Sequence, residues 1–363
     1  MRLAITGGGT GGHVFPALEI GRAARAAGWQ VKYYGSLRGI EGGACEKAAI
    51  EFVGFASEPI YRLYTPRGWF TAAKMLQASK NALHELSIWR PDVLFSTGGY
   101  ASAPVVHAAR RLGIPFVIHE QNAVPGRTNR LFSKSASRVC TVFKSASQFF
   151  PGGKTVQTGL PIREQLRASA QGRLPLDQAL DSDSPVVLVM GGSQGSAVLN
   201  DAVLAAAVRM VRADVQWLHI TGESHYESTM RSQEKLGING RYTIKAYLDA
   251  DEMAVALFQS SLAICRSGAG TLAELAAFRK PSILVPYPRA YGDHQRVNAQ
   301  EFADMKAAEL LKQEDLLAAS LEARVMAWLN DEARIEQAKA ALAEWDRPDA
   351  AKQILAILEE SAK

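Results

Sequence analysis

Short apolar runs alternate with longer amphipathic ones along this chain. "RLAIT", "VKYYG", "DVLFS", "FVIHE" and "RVCTV" are compact, rich in β-branched and aromatic residues, and read as strands. Between them lie helical stretches such as "HVFPALEIGRAARAAG" and "ASAPVVHAARRLG", which stop at Gly28 and Gly113. Strands alternating with helices predict a parallel α/β sheet. From Pro185 the pattern starts again with "VVLVM", "QWLHI", "YTIKA", "LAICR" and "SILVP". The polar segment "ASAQGRLPLDQALDSDSP" separates the two series and reads as a loop or a poorly packed helix. The tail "IEQAKAALAEWDRPDAAKQILAILEESAK" reads as helices broken near Pro348, since proline cannot continue a helix.

Both series open alike. "LAIT" runs into Gly7-Gly8-Gly9-Thr10-Gly11-Gly12, and "VVLVM" runs into Gly191-Gly192-Ser193-Gln194-Gly195-Ser196. A helix follows each loop. The expectation is two Rossmann-like domains, and 363 residues are too many for one ordinary core. Ligands of such sheets bind at the carboxyl ends of the strands, and two such edges facing one another would make a cleft.

Composition narrows the class. A hydrophobic share of 47% with 21% charged residues suits a globular protein. Cys45, Cys140 and Cys265 form no CxxC, which argues against a disulfide framework or a zinc site and fits a reducing compartment. "MRLAITGGG" reads as a strand rather than a signal peptide, and no apolar run is long enough to span a membrane. A net charge of +5 favours anionic partners: phosphates, nucleic acid or an acidic bilayer surface.

Gly7, Gly9 and Gly12 match GxGxxG, the pattern of a dinucleotide site. That site needs an acidic residue at the end of the second strand. Here the strand ends "YYGS", with Gly35 and Ser36, so a nicotinamide or flavin site is disfavoured. Neither loop carries the GK[ST] of a P-loop. What remains is phosphate binding by bare backbone N–H groups at a helix start. A mere chain-turning role explains one such loop and explains two poorly. A third strand–loop–helix, "CRSGAGTLAELAAF", offers another helix start near Ala269. Glu274 behind it could accept hydrogen bonds from two ribose hydroxyls, or serve only as a first-turn partner of the helix dipole. In "YPRAYGDHQRVNA", Asp293, His294, Gln295 and Asn298 suit sugar hydroxyls, although Asp293 could be only an N-cap. "DSD" (Asp181 to Asp183) and "DAD" (Asp249 to Asp251) could be paired metal-diphosphate acids but read as loop and helix start. The seven histidines show no HExxH spacing.

Together these motifs closely resemble one family. "GGGTGGHVFPAL", "PDVLFSTGGYASAP", "IPFVIHEQNAVPGRTNR", "TGLPIR", "VMGGSQGSAVLN", "CRSGAGTLAELA" and "DHQRVNA" look like the MurG family of bacterial glycosyltransferases, family 28, in order and over nearly the whole chain. The resemblance implies a GT-B fold, α/β, with two Rossmann-like domains whose parallel sheets face across a cleft. It implies inverting transfer of N-acetylglucosamine from UDP-GlcNAc to the 4-hydroxyl of N-acetylmuramyl-pentapeptide pyrophosphoryl-undecaprenol (lipid I). The product is the β-1,4-linked lipid II of peptidoglycan synthesis, formed without cofactor or metal. Residues 1–162 would take the lipid acceptor and face the membrane, 163–340 would hold the donor, and a helix in 341–363 would pack back on the N-terminal domain. The alternatives are a UDP-sugar epimerase, a GT-B transferase with a soluble acceptor, or a non-enzymatic nucleotide-sugar module.

The resemblance also implies residue roles. Arg163 and the backbone at Leu248 would hold the uracil, and Glu274 the ribose. Ser193 and the helix start at Ala269, Gly270 and Thr271 would face the diphosphate, and Leu272 and Ala273 would also contact the donor. Gln295 and Asn122 would reach the donor sugar, and Thr10, Gly11 and Gly12 would also touch the donor. The family has two polar residues, a glutamine pair in some members, where this chain has His294-Gln295. Gly8, Gly9, Gly98, Gly99, Tyr100 and Asn129 would contact the acceptor and its pyrophosphate. His13 is favoured as the base, with His119 and Glu120 competing; for either histidine the plain alternative is a ring hydrogen-bonded to loop backbone. Implied partners are an anionic membrane surface on the cytoplasmic face of the inner membrane and other cell-wall synthesis and division proteins, but no nucleic acid. Trp69, Phe70, Met75 and Leu76, with Arg67, Lys74 and Lys80 nearby, form the candidate membrane patch; the alternative is ordinary core packing.

Overall fold

The computed structural model describes residues 1–59, 64–173, 184–192, 194–238 and 240–363, apart from the side chain of Pro66. The chain packs as two compact units. One comprises Met1–Pro161 with Asp349–Lys363, and the other Ile162–Pro348.

The first unit begins with β1 (Arg2–Thr6), α1 (Gly11–Ala26), β2 (Gln30–Ser36), α2 (Glu41–Lys47), β3 (Glu51–Phe55) and α3 (Pro66–Trp89). It continues with β4 (Val93–Ser96), α4 (Ala103–Arg111), β5 (Phe116–Glu120), α5 (Arg127–Phe132), β6 (Arg138–Thr141) and β7 (Thr155–Gln157). The second unit holds α6 (Glu164–Ala170), β8 (Val186–Met190), α7 (Ala197–Arg209), β9 (Gln216–Ile220), α8 (Tyr226–Leu236) and β10 (Tyr242–Lys245). Then follow α9 (Ala250–Gln259), β11 (Ser260–Cys265), α10 (Ala269–Ala277), β12 (Ser282–Leu284), α11 (His294–Asp304), β13 (Ala308–Leu310), α12 (Ala318–Leu329) and α13 (Glu332–Trp345). After Pro348 the chain returns to the first unit as α14 (Ala350–Ala362), which packs on α1 and β4–β6.

The two sheets share one topology. Their strand orders are β3-β2-β1-β4-β5-β6-β7 and β10-β9-β8-β11-β12-β13, with parallel pairing throughout. The order reverses between β1 and β4, and between β8 and β11. At such a switch point two neighbouring loops leave the sheet edge in opposite directions and open a crevice. Strands β4, β5 and β8 are buried along their whole length, as expected of parallel strands covered on both faces. In the first unit Leu3, Ile5, Phe95 and Val117 pack with Val14, Leu18, Ile354 and Leu358. In the second, Val187, Val189, Ile264 and Ile283 pack with Leu204, Trp217 and Trp328.

The expected strands are present at the expected places. β3, β7 and β13 were not anticipated: the last two have three residues each, and β3 is an edge strand interrupted by Gly54. Gly28 and Gly113 do terminate helices, at φ +82 and +72. Of the polar segment between the halves, Ala168 to Ala170 close α6, whereas 174–183, including "DSD", lie outside the described residues. "DAD" opens α9: Asp249 accepts from the backbone N–H of Asp251 and Glu252, and Glu252 returns the bond in a capping box.

Candidate active site

In the first unit the loops after β1, β4 and β5 meet at the switch point. The first two meet backbone to backbone, and the third joins them through the Thr128 hydroxyl, which donates to Gly99 O at 3.0 Å. Gly8 N–H donates to Gly98 O at 3.2 Å. Gly99 has φ +83, and a Cβ there would lie 2.0 Å from Gly8 O and 3.2 Å from the His13 ring. Gly9, at φ +90, faces the Tyr100 ring at 2.7 Å by the same measure. The glycines thus let two loops touch as well as leaving backbone donors open. One donor is already used: Gly9 N–H donates to the buried Glu41 carboxylate at 3.2 Å. α1 then begins at Gly11 with no side-chain cap from Thr10, so the first-turn amides at Gly11 and Gly12 point outward.

His13 lies in the first turn of α1 and is half-buried. Its Nδ1 is 2.9 Å from Thr97 O and 2.9 Å from Gln121 Oε1. Thr97 Oγ1 donates to His13 O at 2.7 Å and fixes the same turn. Burial holds the His13 pKa below 6.5 against these two hydrogen bonds, which favour the charged ring. His119 is fully buried, with Nε2 3.0 Å from Gly159 O and Nδ1 3.0 Å from Gln121 Nε2. Burial pushes its pKa down to about 4.

Glu120 is also fully buried. One oxygen accepts from Asn122 N–H at 3.0 Å; the other accepts from Gly126 N–H at 3.0 Å and Asn129 Nδ2 at 2.8 Å. Burial raises its pKa, opposed by those bonds. Glu120 therefore organises the loop from 121 to 129. Asn129 is buried beneath Gly98, where a Cβ would meet it at 2.7 Å. His13, Asn122 and Tyr100 are the half-buried side chains of this cluster, and Thr10 is exposed.

In the second unit Arg163 and Gln295 lie against α10 and the loop before it. Gly268 provides no side-chain cap, and no acid lies in the first turn. Glu274 is in the second turn, which removes its reading as a first-turn dipole partner. Its Oε1 instead accepts from an Arg163 guanidinium N–H at 3.4 Å. Burial raises the Glu274 pKa, and the Arg163 charge opposes the rise. Leu248 is buried and Gln295 half-buried. Gln295 Oε1 accepts from Tyr287 N–H at 2.9 Å, while its backbone O accepts from Ser267 Oγ at 2.7 Å. Asp293 occupies the N-cap position of α11 but makes no cap bond and pairs with Arg296. Ser193 lies outside the described residues.

Sequence reasoning overlooked Arg266. It is buried, and its NH1 donates to Val285 O and Pro286 O at 3.0 and 3.1 Å. Its NH2 donates to Ser196 Oγ and Gln313 Oε1, both at 2.7 Å. One guanidinium thereby ties the loops after β8, β11 and β12 together. The strand order β8-β11-β12-β13 brings these partners, Gln313 after β13 included, within reach. Among the described residues no group of three or more His, Cys, Asp or Glu side chains could share a metal ion.

On α3, Trp69, Phe70 and Leu76 are exposed at 72%, 59% and 67%, while Ala78, Ala82 and Leu86 form the buried face. Lys74 lies over the Phe70 ring at 4.4 Å and donates to Glu58 at 2.6 Å. Core packing therefore does not account for the three large apolar residues; Met75 is half-buried.

Two Rossmann-like units with parallel sheets and glycine-opened helix starts are those of a GT-B glycosyltransferase. Residues 3–141 match the glycosyltransferase family 28 N-terminal domain, and residues 186–354 match its C-terminal domain. The chain belongs to glycosyltransferase family 28. It is 36% identical over 365 residues to the UDP-N-acetylglucosamine–N-acetylmuramyl-(pentapeptide) pyrophosphoryl-undecaprenol N-acetylglucosamine transferase of Lactiplantibacillus plantarum, covering 100% of both chains. It is 34% identical to the Bacillus licheniformis protein of the same name, covering 99% of this chain and 98% of that one. Among solved structures it resembles Acinetobacter baumannii MurG, with a TM-score of 0.78 at 27% identity and 99% coverage of each. A putative UDP-N-acetylglucosamine 2-epimerase from Listeria monocytogenes shares the fold alone, with a TM-score of 0.72 at 12% identity over 99% of this chain and 96% of that one.

Proposed function

We propose that this chain transfers N-acetylglucosamine from UDP-GlcNAc to the 4-hydroxyl of lipid I, with inversion, to give lipid II. The reading rests on the full-length likeness to transferases of that name. It is supported by one feature within each unit: a half-buried His13 at the α1 start of the first, and an uncapped α10 start with Arg163 and Glu274 in the second.

The donor chemistry belongs to the second unit. Glu274 accepts from the ribose hydroxyls while Arg163 aims it and opposes the rise that burial gives its pKa, and Gln295 reads the sugar. As the glycosidic bond to UDP breaks, charge develops on the diphosphate. Free N–H groups at the α10 start stabilise that charge without waiting for solvent to reorganise. His13 takes the proton of the acceptor 4-hydroxyl. Its pKa, lowered from 6.5, leaves the ring neutral at physiological pH, with a lone pair to accept that proton. His119 and Glu120 do not suit that role, because both are buried and committed to loop backbone and to Gln121. The acceptor carries a lipid, and the exposed Trp69, Phe70 and Leu76 with Lys74 suit an anionic bilayer surface on its cytoplasmic side.

The test is transfer of radiolabelled N-acetylglucosamine from the UDP sugar to lipid I in detergent, with and without EDTA. The expected result is a β-1,4-linked lipid product in both arms. Sugar epimerisation without acceptor, or transfer only to a soluble acceptor, would overturn the reading; loss on chelation restored by magnesium would overturn its metal-free form.

A further inference from the structure

Gln121 takes no part in the roles described so far, yet it is buried between two histidines and bonded to both. The bonds read in only one direction. Gly159 O is an acceptor, so His119 Nε2, at 3.0 Å, carries the hydrogen. In a neutral imidazole the other nitrogen then holds a lone pair. His119 Nδ1 must therefore be met by a donor, and that donor is the Gln121 amide nitrogen at 3.0 Å. The same amide nitrogen donates to His119 O at 2.9 Å, which fixes the amide orientation a second time. Gln121 Oε1 is left facing His13 Nδ1 at 2.9 Å, where Thr97 O also lies at 2.9 Å. Two oxygens at one ring nitrogen require that nitrogen to carry the hydrogen. The lone pair of neutral His13 then sits on Nε2.

We infer that Gln121 and His119 are positioning residues: a directed chain of hydrogen bonds from Gly159 O through His119 and Gln121 joins Thr97 O in fixing the tautomer and ring orientation of His13, so that Nε2 is its proton-accepting atom. The inference deepens the base assignment above and rests on that reading for its catalytic consequence, but the chain itself does not depend on it. The low His119 pKa agrees with a permanently neutral middle member, since a charged ring would place a second hydrogen against the Gln121 amide. Phe95 lies beside the His119 ring at 6.0 Å, so one flank of this link is apolar. No proton passes along the chain; its members keep their hydrogens and only orient His13.

The experiment is nitrogen-15 NMR of the full-length protein with labelled histidine, at a pH where both rings are neutral, with His13→Gln and His119→Gln used only for assignment. The expected spectrum shows opposite tautomers: hydrogen on Nδ1 of His13 and on Nε2 of His119. Hydrogen on Nε2 of His13, or on Nδ1 of His119, would overturn the inference. Gln121→Met removes both bonds at similar volume. It should lower kcat by up to about 100-fold, the cost of a misplaced catalytic group, with donor Kd unchanged; Thr97 O still accepts from His13 Nδ1–H, so the tautomer persists while the His13 ring signals shift on loss of the second acceptor. Wild-type kcat and unchanged His13 signals in Gln121→Met would remove Gln121 from this role. Gln121→Glu can still accept from His13 but cannot donate to His119. Its carboxylate beside His13 Nδ1 should keep the hydrogen there and shift the His13 titration upward while disturbing the His119 signals; hydrogen on His13 Nε2 in this variant counts against the chain. Opposite tautomers together with full kcat in His13→Ala would leave the chain standing and sink the base assignment instead.

Discussion

At the scale of single residues, burial separates groups that composition cannot. His13 and His119 are both histidines beside glycine turns, but only His13 is in part open to solvent. A base must be unprotonated to act, so activity should fall as pH drops through the folded-state pKa of His13. Burial has lowered that pKa from 6.5, which places the acid limb of kcat/KM below 6.5 and leaves the group competent at neutral pH. His13→Ala should abolish that limb and lower kcat by about 10²–10⁴-fold with donor affinity nearly kept. An acid limb above pH 6.5, or one unchanged in the variant, would exclude His13. The donor pair can be tested similarly. Glu274→Ala should weaken UDP-GlcNAc binding by about 2–3 kcal/mol, through lost charge-assisted hydrogen bonds. Because Arg163 and Glu274 touch at 3.4 Å, a double-mutant cycle by calorimetry should show coupling of about 0.5–3 kcal/mol. Additive effects would mean that the two residues act separately on the donor.

At the scale of elements, α3 makes the clearest prediction. Thr65 caps it by accepting from Gly68 N–H at 3.1 Å, Pro66 starts it, and Ala78, Ala82 and Leu86 anchor its inner face. Its outer face exposes Trp69, Phe70 and Leu76 in its first half and Ile88 near its end. Replacing Trp69 and Phe70 with serine should weaken co-sedimentation with anionic vesicles. Stability should move by no more than about 0.5 kcal/mol, as for most surface sites. A large fall in thermal midpoint with vesicle binding intact would assign these residues to packing.

The elements also show what a sequence can and cannot disclose. β1, β4, β5 and β8 were legible because strands buried on both faces read as unbroken apolar runs. β7 and β13 are too short to form such a run, and β3 is broken by Gly54. The same double burial hid the fate of His119 and Glu120: in "FVIHE" no alternation marks an inward face, so two polar residues at the strand end look available when neither is. Glycine spacing disclosed the helix starts, but the close approach of Gly99 to Gly8 depends on β4 lying next to β1. Gln121 and Arg266 could not be read at all, since every partner of Arg266, and His13 beyond Gln121, come from distant positions that only strand order brings together.

At the scale of the whole molecule, the two units differ in how the chain closes them. The second is a single stretch, Ile162–Pro348. The first needs both ends of the chain, because α14 returns to it. Ile354 and Leu358 are fully buried there, in the cluster with Leu3, Ile5, Val14 and Leu18. They are the last apolar anchors added to a core that otherwise ends at Pro161. Truncating either to alanine removes buried methylenes and leaves a cavity, at a cost of about 2–5 kcal/mol each. The loss should fall on the unit that contains α14. Amide exchange in Ile354→Ala and in Leu358→Ala should therefore accelerate across residues 1–161, while Val187, Val189, Ile264 and their neighbours in the second core keep their protection. Transfer activity should fall with the first unit's stability, and donor binding, carried by the second unit, should persist. Equal loss of protection in both units would show that they unfold as one; an unchanged thermal midpoint would show that α14 does not close the first core.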